Sequence, residues 1–255
     1  MILAIDIGNT YIVVGCIRDE EIVFAERLHT DGTKSELEYA ISIKTVLELY
    51  GIDRTKLDGG ILSSVVPPLT NVIRRAAEKV TGREILVVGP GVKTGLDIRI
   101  DNPAQLGPDL VVEAAAAAEE YPCPLVIVDM GTATTFTVVN EKKQVLGGMI
   151  MPGVNVALDS LISRTSQLPK ISLEPPEKLI ASNTVDCMKS GVLFGNAACV
   201  DGVLARIQEE FEVPLTAVAT GGMAKYIIPY CRTKIEMDDG LILKGLKLIY
   251  RRNSL

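Results

Sequence analysis

Two segments of the chain repeat one pattern, in which an apolar run ends in Asp-x-Gly and then continues as a second apolar run. The first is AIDIGNTYIVVG at residues 4–15, and the second is VIVDMGTATTFTVV at residues 126–139. The aspartate and glycine of the second copy, Asp129 and Gly131, each stand 123 positions after their counterparts. One Asp-x-Gly at the end of a strand is typical of a hairpin turn. Two copies with the same offset indicate a duplicated functional unit.

The residue types in this pattern suit a phosphate chain. A glycine two residues after an aspartate lets the backbone turn tightly and present N–H groups without a Cβ in the way. Short polar side chains follow at the same place, and these are Asn9, Thr10, Thr132, Thr134 and Thr135. An aspartate beside such a turn suits a cation that offsets phosphate charge. Two facing copies would clamp one triphosphate, whereas either copy alone is more typical of an ordinary hairpin turn.

Each half of the chain begins with the same series of elements. Apolar, β-branched runs predict hairpins formed by 2–16 with 21–28 and by 125–139 with 144–151. Helical spacing predicts helices over 35–51, 69–82, 110–121 and 184–211. Short apolar runs predict strands over 59–65, 84–89 and 215–222. This alternation predicts an α/β fold with mixed sheets flanked by helices. The segment PCP at 122–124 then divides the chain into domains 1–121 and 122–255, which we expect to pack around a central cleft.

Composition excludes several function classes. A net charge of -6 gives no broad basic surface, so a nucleic-acid partner is not expected. The longest apolar stretches are too short to span a bilayer and no leader-like segment is apparent, which predicts a cytoplasmic protein without a membrane partner. Five cysteines without a CxxC pair predict free thiols rather than disulfides or a zinc site. The single histidine, His29, is expected in an exposed turn, so acid–base chemistry must rest on carboxylates.

Seven segments carry a resemblance to a known family. They are DIGNT at 6–10, NPAQLGPD at 102–109, DMGTATT at 129–135, GGMIMPG at 147–153, QLP at 167–169, NT at 183–184 and TGG at 220–222. With these segments in this order, the chain resembles the type III pantothenate kinases from end to end. Its twin Asp-x-Gly turns resemble the two phosphate loops of the acetate and sugar kinase, Hsc70 and actin superfamily. The resemblance implies two RNase H-like halves that enclose ATP.

The resemblance also implies an activity and its site. It implies transfer of the γ-phosphoryl group of ATP to pantothenate, giving 4'-phosphopantothenate in the first step of coenzyme A biosynthesis. It implies Mg²⁺, a monovalent cation such as K⁺ or NH₄⁺, and a homodimer in which one subunit completes the other's site. The implied ATP contacts are Asp6, Ile7, Gly8, Asn9, Thr10, Tyr11, Ile12, Val13 and Thr132. The implied pantothenate contacts are Gly107, Pro108, Asp109, Leu110 and Thr184, with Asp109 as the general base and Asp129 as a ligand of the monovalent cation.

Asp109 has two interpretations. One carboxylate is enough to accept the proton of an attacking hydroxyl, because phosphoryl transfer depends mainly on positioning and charge neutralisation. The residue also precedes an apolar helix, where aspartate commonly caps the N-terminus. Local sequence favours the cap, and the family resemblance favours the base.

Two residues depart from the family pattern on the pantothenate side. Leu110 stands where the family usually has arginine, and Ile100 stands where it usually has tyrosine. The loss of a polar partner for a buried substrate group costs about 1–3 kcal/mol. Three alternatives follow: a pantothenate kinase with compensating contacts from Arg99 or Arg164, a kinase for another small hydroxyl compound, or a nucleotide-binding regulatory protein that has lost catalysis.

Glycines interrupt the helical pattern of residues 184–211. They are Gly191, Gly195 and Gly202, and they predict close packing on one face of this helix. The partner in that packing is either a second subunit or another part of the same subunit.

Overall fold

The computed structural model describes residues 1–254, which contain eleven strands and seven α-helices. The strands are β1 (Ile2–Ile7), β2 (Tyr11–Arg18), β3 (Glu21–His29), β4 (Gly59–Ser64), β5 (Ile85–Val87), β6 (Asp97–Ile98), β7 (Leu125–Met130), β8 (Ala133–Val139), β9 (Gln144–Pro152), β10 (Thr216–Thr220) and β11 (Glu236–Met237). The helices are α1 (Glu36–Leu49), α2 (Pro67–Thr81), α3 (Pro108–Glu120), α4 (Val154–Ser163), α5 (Thr184–Gln208), α6 (Ala224–Ile227) and α7 (Leu241–Asn253).

The two sheets have the same topology. The first has the order β3-β2-β1-β4-β5, with β1 antiparallel to β2 and parallel to β4. The second has the order β11-β10-β7-β8-β9-β6, with β7 antiparallel to β8 and parallel to β10. Apart from the added edge strand β6, the second sheet repeats the first. The duplication seen in the Asp-x-Gly motifs therefore extends to the whole sheet, and the predicted fold class is confirmed.

The chain forms two compact units that interrupt each other in sequence. The first comprises Met1–Leu96, Asp101–Glu119 and the chain from Gly240 onward, and the second comprises Asp97–Ile100 and Glu120–Asp239. The division at residues 121 and 122 expected from sequence differs from these units at Asp97–Ile100, at residues 120–121 and from Gly240 onward. Helix α7 packs on β1 and β4 because it buries leucine and isoleucine side chains there, and β6 pairs with β9.

The long apolar runs at 2–16 and 125–139 are each two strands rather than one. In both runs the chain reverses at the Asp-x-Gly segment, and β1 pairs with β2 as β7 pairs with β8.

The predicted helices begin and end at residues with the expected capping chemistry. Ser35 and Glu38 form a capping box at the start of α1, and Gly82 ends α2 at a φ of 67°. Helices α4, α6 and α7 and strands β6 and β11 were not predicted.

The first sheet is covered on both faces. Leu3 and Ile5 of β1 pack with α1 and α2, whereas Ile2 and Ala4 pack with α3 and α7. Because alternate residues of a strand share a face, the side chain of Asp6 lies on the face that α3 and α7 cover.

Helix α5 combines length with apolar composition. Within residues 1–254, it is the one helix long and apolar enough to cross a membrane by those two criteria. Its residues Leu193, Ala197 and Val200 lie in the core of the second unit. Core helices of water-soluble proteins commonly meet the same criteria.

Candidate active site

The first Asp-x-Gly turn is held by backbone and hydroxyl contacts. The N–H of Gly8 donates to the carbonyl oxygen of Tyr11 at 3.0 Å. Thr30 then fixes both sides of the turn, since its hydroxyl donates to Gly8 O at 2.7 Å and its N–H donates to Thr10 O at 3.0 Å. A Cβ on Gly8 would stand 3.0 Å from Tyr11 O, so the turn favours glycine. Asn9 is exposed at its tip, where its backbone is open to a ligand.

Not every residue of the predicted ATP segment offers its side chain to a ligand. Ile7 and Ile12 are almost fully buried in the core of the first unit. Tyr11 is half exposed, and Val13 packs against the apolar side chains between the first sheet and helices α3 and α7. The segment can therefore contact a nucleotide through its backbone at the two isoleucines, while Asp6, Asn9 and Thr10 supply polar side chains.

The second Asp-x-Gly turn is one residue shorter than the first, because Asp129 pairs with Thr135 whereas Asp6 pairs with Val13. Gly131 N donates to Ala133 O at 2.9 Å, and Gly153 N donates to the carbonyl oxygen of the exposed Thr132 at 3.1 Å. Gly221 follows β10 with a φ of +90°, and a Cβ there would stand 2.3 Å from Asp129 Oδ1. The late glycine pair at 221–222 thus contributes directly to the surroundings of Asp129.

Buried hydroxyl groups flank both motif aspartates, and the sequence pattern singled out Thr135 among them but not Ser63. Asp6 pairs with Ser63 of β4, and Asp129 pairs with Thr220 of β10 and with Thr135 of β8. All three hydroxyl residues are at most 8% exposed. In the part of the chain that the structure describes, the hydroxyl oxygens of Ser63 and Thr135 have no hydrogen-bond partner. The signal in the sequence was Ser63, the first of the two serines that follow the apolar residues of the strand GGILSS.

The predicted base lies in the first turn of α3. Gly107 accepts the first helical hydrogen bond, from Val111 N at 3.1 Å, so Asp109 stands inside the helix rather than at its cap. The carboxylate of Asp109 accepts the N–H of Leu110 at 2.8 Å. Burial raises the pKa of Asp109, and this hydrogen bond opposes the rise. A carboxylate with a raised pKa is a stronger proton acceptor than an ordinary aspartate.

Thr184 lies elsewhere, in the second unit. It begins α5 after the cap Asn183, and it lines a cavity of about 750 Å³ between α4, α5 and the loop before α5. The walls are mainly apolar, with Leu158, Leu161 and Met188 among them. A cavity of this size accommodates a small metabolite.

The oxygen groups around the aspartates fit hard cations. Within residues 1–254, no group of three or more histidine, cysteine, aspartate or glutamate side chains could hold a metal ion. Mg²⁺ in phosphoryl-transfer sites is commonly held by one or two carboxylates together with phosphate oxygens. Asp6 in the first unit and Asp129 in the second each lie beside a buried hydroxyl, and each carboxylate is by itself of the type that binds such a cation.

Comparison with known proteins decides the family. A family model described as type III pantothenate kinase matches residues 2–206. The type III pantothenate kinase of Halalkalibacterium halodurans is 42% identical over 99% of this chain and 100% of its own length. That of Moorella thermoacetica is 41% identical over the full length of both. The chain belongs to the type III pantothenate kinase family.

Solved structures show the same fold at low sequence identity. A conserved putative Baf family transcriptional activator from Campylobacter jejuni has a TM-score of 0.59 at 21% identity, covering 99% of this chain and 98% of its own. The activator of 2-hydroxyisocaproyl-CoA dehydratase from Clostridium difficile, solved with bound ADPNP, has a TM-score of 0.57 at 14% identity, covering 99% and 94%. A putative 2-dehydro-3-deoxygalactonokinase from Sinorhizobium meliloti gives 0.57 at 13% identity, covering 99% and 97%. This member of the pantothenate kinase family therefore shares its fold with an activator solved with bound ADPNP and with a putative 2-dehydro-3-deoxygalactonokinase.

The two departures from the pantothenate kinase pattern differ in place. Leu110 follows Asp109 in the first turn of α3 and is partly exposed, whereas Ile100 belongs to the second unit. Of the two arginines considered as compensation, Arg99 forms an ion pair with Asp97 at 2.7 Å. Arg164 is exposed at the end of α4. The ion pair leaves Arg99 less available than Arg164 for a substrate carboxylate.

Proposed function

We propose that the chain transfers the γ-phosphoryl group of ATP to the primary hydroxyl of pantothenate and thereby forms 4'-phosphopantothenate, the first step toward coenzyme A. The observation that carries this proposal is Asp109, a half-buried carboxylate with a raised pKa in the first turn of α3, in a chain of the pantothenate kinase family. The full-length relatives named type III pantothenate kinase support the same substrate.

The chemistry assigned to the chain's own residues is positioning and one proton transfer. Asp109 accepts the proton of the attacking hydroxyl as the new P–O bond forms. Gly107, Pro108 and Leu110 lie around this carboxylate and are assigned to the pantothenate, as is Thr184 on its own unit. Asp6 to Val13 and Thr132 are assigned to ATP.

Cations complete this assignment. Bound Mg²⁺ neutralises phosphate charge, and a monovalent cation, K⁺ or NH₄⁺, is assigned to Asp129. The support for the second cation is chemical: Asp129 is flanked by the hydroxyl residues Thr135 and Thr220, and hydroxyl and carboxylate oxygens are ligands that hard cations prefer.

A homodimer is the assembly that we assign to this enzyme. Exposed apolar side chains in the second unit support it, with Ile150 77% and Ile180 88% exposed. In the described chain, a Cβ on Gly191 or Gly195 would meet nothing within 4 Å, so close packing inside one subunit does not explain these glycines. Light scattering measures the mass in solution, and a monomer would contradict the dimer.

Because both substrates are small soluble metabolites, we assign the enzyme to the cytoplasm.

A second candidate function is a kinase for another small hydroxyl compound. The half-buried, apolar Leu110 favours it if the part of that substrate next to α3 is less polar than the corresponding part of pantothenate. A nucleotide-binding regulatory role without catalysis is the remaining alternative. It gives no reason for a half-buried carboxylate with a raised pKa at the start of α3.

The test is an ADP-release assay with ATP, Mg²⁺ and K⁺, with and without pantothenate, and with Asp109→Asn as the control. We expect pantothenate-dependent release that falls by about 10²–10⁴-fold in the variant. ATP binding without any response to pantothenate would favour one of the alternatives.

A further inference from the structure

The neighbour of Asp6 on the next strand is a serine with no evident structural role. Asp6 and Ser63 are paired residues of the parallel strands β1 and β4, so their side chains leave the sheet on the same face. Ser63 is 0% exposed, and its hydroxyl has no hydrogen-bond partner within residues 1–254. Burial of a hydroxyl group without a partner is unfavourable. Without a ligand, the Ser63 hydroxyl therefore does not stabilise the folded protein.

The adjacent serine shows what a structural hydroxyl looks like in the same place. Ser64 accepts the N–H of Val66 at 3.1 Å and the hydroxyl of Thr70 at 2.8 Å, so it holds the turn between β4 and α2. Ser63 points to the opposite face and takes no part in these contacts. The two hydroxyls thus have different duties, although they are neighbours in sequence.

The second unit repeats the arrangement independently. Thr220 of β10 is paired with Asp129 of β7, again in parallel register, and is only 4% exposed. The aspartates are 123 residues apart but the hydroxyl residues are 157 apart, so the repetition does not follow from a fixed sequence offset. In both units the same register places a buried hydroxyl beside the motif aspartate.

We propose that Ser63 is a positioning residue for Asp6: when the Mg²⁺–nucleotide complex binds, the Ser63 hydroxyl donates a hydrogen bond to the Asp6 carboxylate and holds it toward the cation. This proposal rests on the nucleotide-binding part of the proposed function. Paired residues of neighbouring strands lie about 5 Å apart, so the register places the Ser63 hydroxyl next to the Asp6 carboxylate on one face of the sheet. No proton is transferred in this step. Because the Asp6 carboxylate is charged, the hydrogen bond that it accepts from Ser63 is stronger than a bond between two neutral groups.

The experiment compares wild type, Ser63→Ala and Ser64→Ala by calorimetric titration with ADP, once with Mg²⁺ and once with EDTA. For Ser63→Ala we expect Mg²⁺–ADP binding to weaken by about tenfold, the loss of one hydrogen bond to a charged group. Binding of ADP in EDTA should stay within about twofold of wild type by the same argument. Ser63→Thr retains the hydroxyl, as Thr220 does in the second unit, and should restore Mg²⁺-dependent affinity.

Thermal unfolding without nucleotide separates positioning from structure. Ser63→Ala should unfold at the wild-type temperature or above it, because it removes a hydroxyl without a partner. Ser64→Ala should unfold at a lower temperature, because it loses contacts that hold the turn. Unchanged Mg²⁺–ADP affinity in Ser63→Ala, or an equal loss in EDTA, would overturn the positioning role while leaving the kinase proposal intact. A wild-type protein that binds no nucleotide would overturn both.

Discussion

Gly107 lies against the carboxylate of Asp109: a Cβ built on Gly107 would stand 2.3 Å from Asp109 Oδ1. The carboxylate occupies the space that a side chain at position 107 would need, and its other constraint is the hydrogen bond from Leu110 N at 2.8 Å. The position of the proposed base thus depends on a glycine two residues before it.

Gly107→Ala should displace this carboxylate. We expect kcat to fall by about 10–100-fold, since a small misplacement of a catalytic group costs up to about 10²-fold. The fold should be little affected, because the atom that must move is the end of a side chain. Gly32→Ala is the matched control, since a Cβ there meets nothing within 4 Å among the described residues. Equal kcat values for the two variants would show that Gly107 does not position the base.

The pH dependence of kcat/KM should report the raised pKa of Asp109. Burial raises this pKa, so the carboxylate is protonated, and the base lost, at a higher pH than for an ordinary aspartate with a pKa near 3.9. We expect activity to fall on the acidic side at a pH above 4, as pH decreases through the raised pKa. Circular dichroism over the same range checks that the protein stays folded. An acidic limb at or below pH 4 would contradict this environment for Asp109.

The same burial predicts a gain of stability in Asp109→Asn. The folded state binds a proton at Asp109 more readily than the unfolded chain, so the ionised carboxylate reduces stability above the raised pKa. Asparagine removes this cost, and we expect the melting temperature at pH 7 to rise by about 1–4 °C. The gain should disappear as pH falls toward 4. Calorimetry at both pH values measures it, and a lower melting temperature at pH 7 would contradict the prediction.

Gly221→Ala should lower the free energy of unfolding by more than the positive φ of Gly221 alone would. The φ of +90° disfavours alanine, and the added Cβ would also stand 2.6 Å from Met130 N and 2.3 Å from Asp129 Oδ1. Gly82→Ala is the control, because Gly82 has a φ of +67° and no atom within 4 Å of its Cβ among residues 1–254. We expect urea unfolding to show a loss of about 1 kcal/mol for Gly82→Ala and about 3 kcal/mol or more for Gly221→Ala. Equal losses of stability in the two variants would mean that Asp129 and Met130 move away from the added Cβ at no cost.

Leu110→Arg tests the missing polar group beside the base. If pantothenate is the substrate, an arginine here supplies a charged donor, and KM for pantothenate should fall by about tenfold. Leu110→Met is the control for side-chain length without charge. KM values that are unchanged in both variants would show that position 110 does not contact the substrate's polar groups.

The sequence by itself determined the parts of this protein that depend on local pattern. The Asp-x-Gly turns at Asp6 and Asp129, the start of α1 at Ser35 and the apolar helix behind Asp109 could be predicted, because turn chemistry, capping and periodicity act over a few residues. The order of seven short segments was enough to indicate the family.

Only the tertiary structure decided which distant residues meet. Ser63 stands beside Asp6, and Thr220 beside Asp129, because parallel strands are brought into register by a crossover whose length the motif does not specify. Helix α7 joins the first unit because its apolar face is buried against β1 and β4, although it lies at the far end of the chain. Burial likewise sets the pKa of Asp109, and burial is a property of the packed fold rather than of the residues on either side.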